Sequence, residues 1–203
     1  MQRVVQNLSG FCVVPYRMTI PVALLTRDAL TDVGHAIAMK KLPRQAGGVL
    51  WDYLTEQGLL THLRLRKLPK RPVNLRAHQW IVWDAVLSAR ALKPGHPIAK
   101  EALQVTENWL REPTKQNMEA CHEVSMSSWD APSHNVIHTA VSACMAVHSG
   151  MNSPAHYHAI MAAAEQESEQ QNMYNINRSR YNATHRCQLY IALSASLPPV
   201  PLN

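Results

Sequence analysis

Residues 75–114 read LRAHQWIVWDAVLSARALKPGHPIAKEALQVTENWLREPT, and this stretch decides the fold class. Apolar residues recur in it at helical spacing, and two stops, Pro94-Gly95 and Pro113, cut it into two helices. Pro97 suits the first turn of the second helix, where a missing N–H leaves no intrahelical bond unmade. Ile98, Ala102, Val105 and Trp109 share one face of that helix. Trp80 and Trp83 lie one turn apart in the helix before it. Tryptophans in such register belong to interhelix packing.

The same punctuation continues on both sides. Thr114 can cap a helix running to about Ser128, Ser133 one that closes at Gly150, and Ser153-Pro154 one that turns acidic at Glu165, Glu167 and Glu169. A last helix is expected over about residues 178–196, running into a Pro-rich tail, 197–203, laid along the surface. Towards the N-terminus, Leu30, Val33 and Ile37 form a stripe within 21–41, and a short helix is expected over 49–60, carrying Gly58. Residues 1–20 read as extended or irregular. The stretch 62–76 reads as a basic loop or short extended segment, because Leu63 and Leu65 alternate with Arg64 and Arg66, and Pro69 and Pro72 follow. The fold class is therefore all-α. A single domain over 1–203 is expected, a bundle or helical-hairpin stack of about seven helices whose short loops make neighbours pack antiparallel.

Composition narrows the class. The chain has 203 residues, 20 basic against 14 acidic, for a net charge of +6. That balance favours an acidic partner. With one Phe among 203 residues, the core must rest on small and branched aliphatic side chains, which suit close helix packing. No uncharged window reaches the ~20 apolar residues that span a bilayer, so no membrane association is expected. The first 15 residues carry no long apolar run before a small-residue cleavage site. Cys12, Cys121, Cys144 and Cys187 form no CxxC pair and read as reduced, buried thiols. A cytoplasmic location follows from these two expectations.

Catalytic chemistry finds little support. His134 and His138 lie one turn apart, as two metal ligands on a helix would, but Asn135 stands where zinc helices place a general-base glutamate. They are the weak metal candidates, and neither metal nor cofactor is expected. Cys121-His122 are adjacent and so point apart on a helix. Cys144 and His148 share an apolar face that packing would bury. Phosphate-cradling glycine loops and nucleophile elbows are absent from the sequence, and no catalytic residue is assigned.

The binding candidates are Arg64, Arg66, Lys67, Lys70, Arg71 and Arg76, with Trp129 at a helix end followed by Asp130. No acid occurs between Glu56 and Asp84, so the local field is positive. Phosphates would respond to it. Yet single-strand binding interleaves aromatics with bases, and none lies between Tyr53 and Trp80.

A resemblance adds to this reading. The run Trp51-Asp-Tyr-Leu, the helix Ala77 to Ala91, the run Ile98-Ala-Lys-Glu-Ala-Leu leading to Asn108-Trp109-Leu110, the Thr114-led helix and Val141-Ser-Ala-Cys-Met-Ala-Val-His148 together resemble the Imm5-like immunity proteins of bacterial polymorphic-toxin systems. It covers about residues 51–169. It implies an all-helical protein that neutralises a toxin or other effector by docking. The function expected is thus non-enzymatic protein binding. The alternative is a nucleic-acid-associated accessory subunit, a phage, plasmid or ribonucleoprotein factor, using 64–76.

Overall fold

The computed structural model of the chain describes residues 18–40, 48–60, 63, 65, 74–91, 97–127 and 173–202. These hold six α-helices and one 3-10 turn (Val22–Leu24), with no strand among the described residues. The helices are α1 (Arg27–Ala38), α2 (Val49–Glu56), α3 (Leu75–Ala91), α4 (Pro97–Arg111), α5 (Lys115–Ser127) and α6 (Met173–Ala192). The architecture is all-α, as the periodicity predicts. The helices expected over 133–150 and from 153 lie outside the described residues.

Local chemistry sets the helix ends. Thr26 caps α1 by accepting a bond from the Ala29 amide at 3.2 Å, so the helix starts at Arg27 and not at Pro21. Thr114 caps α5 as expected, its hydroxyl accepting from Asn117 N at 3.2 Å. Asn74 accepts from the Arg76 amide at 2.7 Å and opens α3. α2 stops at Glu56 because Gly58, at φ 67°, takes the left-handed conformation that lets Leu59 N donate back to Leu54 O. The 49–60 helix is shorter than predicted for that reason.

α3 is the axis of the core. Every residue from Ala77 to Val86 is buried, with Ser88 and Ala89, so this helix is covered on all sides. It shares one core with Leu50, Trp51 and Leu54 of α2, Ala102, Trp109 and Leu110 of α4, Cys121 and Val124 of α5, and Cys187, Leu189 and Tyr190 of α6. The tryptophans fill the interior as their spacing implies: Trp51, Trp80, Trp83 and Trp109 are all buried. Trp80 stacks on Tyr190 with ring centroids 5.7 Å apart. Between them these aromatics remove a large apolar area from water, at roughly 25 cal/mol per Å².

Two features depart from the sequence reading. Short connections do make neighbours pack, as α4 packs on α5 and α3 on α4, but the main partner of α1 is α6 from the far end of the chain. The tail is not laid along the surface. Leu197, Pro198 and Val200 are buried, Trp80 Nε1 donates to Pro198 O at 2.8 Å, and Ile20 N donates to Ser196 O at 2.9 Å. An unpartnered indole N–H inside the core would be costly, and the tail supplies its acceptor. Of the segment read as irregular, Met18, Thr19 and Ile20 are described and non-helical, with Ile20 fully buried.

Candidate functional site

Among the described residues, three groupings of polar side chains bear on a site. The first is internal. Asp84, on the middle of α3, is 1% exposed and is met from two sides, by Arg27 Nε of α1 at 2.7 Å and by Arg186 Nε of α6 at 2.9 Å. Arg27 also donates to Ser88 Oγ at 2.9 Å, and Arg186 to Thr31 Oγ1 at 3.2 Å. One carboxylate thereby ties together three helices from the two ends and the middle of the chain. Burial works against the Arg186 charge, but Asp84 more than offsets it and holds the guanidinium pKa above its usual value. The neighbouring Cys187 thiol and Tyr190 phenol are pushed well up by burial, reinforced by the Asp84 charge, so both stay protonated. A neutral thiol sealed in the core is a packing group. The network is structural in character, because its donors and acceptors are spent on one another.

The second place is the seam between α1 and α6. His35 and His185 stand with ring centroids 5.3 Å apart, and Tyr181 lies edge-on to His185 at 4.2 Å. Nδ1 of His185 faces Gln188 Oε1 at 3.1 Å, whereas its Nε2 and that of His35 are buried without a hydrogen-bond partner among the described residues. Burial lowers the His185 pKa; the Gln188 contact opposes this and the neighbouring His35 adds to it. The backbone at Gly34 makes the close approach possible, since a Cβ there would fall 2.7 Å from the Cβ of His185.

The third is a cavity of about 420 Å³ between the start of α3, the end of α4 and the tail. It is lined by Leu75, Arg76, Gln79, Leu110, Arg111, Pro113, Pro199, Val200 and Leu202. Gln79 is buried and bridges two elements of its wall. Its Oε1 accepts from Arg76 at 3.1 Å while its Nε2 donates to Leu110 O at 3.0 Å, one of the carbonyls that the end of α4 leaves open. Arg76 is thus held in place by an uncharged partner and makes no ion pair among the described residues. Arg111 reaches Glu107 Oε2 only at 3.9 Å, and Glu107 is already engaged by Arg90 at 2.6 Å.

Of the binding residues predicted from sequence, Arg76 alone is described, in the first turn of α3. Arg64, Arg66, Lys67, Lys70, Arg71 and Trp129 lie outside the described residues, as do the weak metal candidates His134 and His138. Leu63 and Leu65, which alternate with the first two arginines, are non-helical and pack partly buried against the core. Cys121 is buried while adjacent His122 is exposed, so this pair does point apart. Among the described residues no three His, Cys, Asp or Glu side chains gather as a metal site would need, and no helix is long and apolar enough to cross a membrane.

Sequence reasoning missed Asp84 and both its partners, and the cavity. Asp84 was open to suspicion, as the one charge in an otherwise apolar run from Trp80 to Leu87. Among the described residues, fold and site together define an all-α core with a cavity edged by two arginines between α3, α4 and the tail. Comparison with protein-family models, curated proteins and solved structures returned no match to this chain.

Proposed function

We propose that the chain is a non-enzymatic binding module that docks onto a protein partner through the basic segment 64–76, whose last cation, Arg76, stands in the first turn of α3. The observation that carries this reading is the placement of Arg76. It is the last cation of the basic segment 64–76, yet sits on the helix most completely locked into the core, so its charge is anchored to a rigid element. A rigid, precharged surface raises the rate and selectivity of encounter with an acidic partner. The resemblance to immunity proteins supplies the form of the activity: occlusion of a toxin or other effector.

Purification of the tagged protein from its native cells tests this, in parallel with a variant carrying Gln at Arg64, Arg66, Lys67, Lys70 and Arg71. A stoichiometric protein partner held by the parent, lost by the variant and released by salt is expected. Recovery of the protein alone would count against docking. Co-purified nucleic acid, with oligonucleotide affinity falling steeply as salt rises, would instead favour the accessory-subunit reading.

A further inference from the structure

The cavity between α3, α4 and the tail has the make-up of a small-ligand site. Its volume of about 420 Å³ falls within the roughly 300–1,000 Å³ of such pockets. Six of its lining residues, Leu75, Leu110, Pro113, Pro199, Val200 and Leu202, are apolar, and its charged lining is Arg76 and Arg111. Among the described residues neither guanidinium has a close carboxylate: Arg111 meets Glu107 Oε2 only at 3.9 Å and donates to Asn108 Oδ1 at 3.4 Å, and the Gln79 bridge orients Arg76. A ligand that satisfied this lining would carry one anionic group of fork-matching geometry and an apolar body of a few carbons.

We propose that this cavity binds an apolar carboxylate, its two oxygens taken by Arg76 and Arg111 and its hydrocarbon part laid against the leucines, prolines and Val200. Such a group has two sources, a free acyl carboxylate and the C-terminal residue of a peptide. Cavity binding does not depend on the protein docking proposed above, because small probes report on it without any partner.

The test uses the full chain, with octanoate, 1-octanol, N-acetyl-Ala-Leu free acid and the amide of that dipeptide as probes, read by calorimetry or by NMR shift perturbation. At least one acid should bind tenfold or more tighter than its uncharged analogue, and whichever acid binds better identifies the source. Arg76→Met and Arg111→Met should each weaken that acid about tenfold or more. Leu202→Trp, which narrows the cavity on its apolar side and leaves both arginines in place, should weaken that acid and its uncharged analogue alike. Arg111 lies on the surface, so its variant keeps the test valid should the half-buried Arg76 prove needed for folding, with circular dichroism checking that each variant is folded. Equal binding of acid and uncharged analogue, absence of binding by either acid, or full affinity in folded Arg111→Met would overturn the proposal.

Discussion

Two sets of arginines in this molecule obey opposite rules. Arg27 and Arg186 converge on one buried carboxylate and fill out their hydrogen bonds with Ser88 and Thr31, whereas Arg76 and Arg111 edge an apolar cavity and, among the described residues, have no acid nearer than Glu107 at 3.9 Å from Arg111. Arg186 of the first set has been removed from water and depends on Asp84 for survival in the core, while Arg27, 28% exposed, meets the same carboxylate from the other side. The second remains partly hydrated and can change partners at little cost. Charge type alone does not mark a site; what the charge is committed to does.

That contrast is broken most severely at Asp84. Asp84→Ala should destabilise the fold by about 3–5 kcal/mol, measured by urea unfolding, because it strands two guanidinium groups of which Arg186 is almost fully buried. A loss under 1 kcal/mol would mean that water satisfies them and that the network is not what closes α1 and α6 onto α3. A smaller cost is expected at the tail. Trp80→Phe removes the indole donor to Pro198 and should lose roughly 1–2 kcal/mol, while tail amides exchange faster with solvent. Unchanged exchange at Leu197, Val200 and Leu202 would show that apolar packing alone holds the tail.

The α1–α6 seam gives a pH dependence whose sign follows from burial. The folded-state pKa of His185 lies below the ordinary value of 6.5, so the unfolded chain takes up the proton first. Stability from this group is full above pH 6.5 and is lost as pH falls from there through the lowered folded value. Unfolding free energies at pH 7.5 and 5.5 should therefore differ more in the parent than in His185→Gln, and an equal difference in both would remove His185 as the cause. The smallest stability effect belongs to the cavity. Arg111→Met should change unfolding free energy by under ~0.5 kcal/mol, as expected for an exposed arginine whose nearest carboxylate is 3.9 Å away. A cost like that of Asp84→Ala would erase the distinction between the two arginine sets.

What could be read from the residues divides along the same line. α3, α4 and α5 were legible because their limits are local: Pro97, Pro113 and Thr114 act on their own backbone within one turn. The burial of Trp80, Trp83 and Trp109 followed from register. Pairing of α1 with α6 was not legible, since Thr31 and Arg186 meet across 155 residues and nothing within either helix encodes the other. The cavity escaped for a like reason. Its walls come from Leu75, Leu110 and Val200, three separate segments, and a concavity between segments has no sequence period. The tail misled because Pro-rich composition describes backbone stiffness and says nothing about an indole that needs an acceptor.

The proposed activity is docking onto a protein partner through the basic segment 64–76. It is tested most directly by mass analysis of the tagged protein purified from its native cells, alongside the five-residue Gln variant. A protein partner present at one fixed ratio with the parent, absent from the folded variant, is the predicted result. A parent that emerges alone, or a partner retained equally by both, would contradict it.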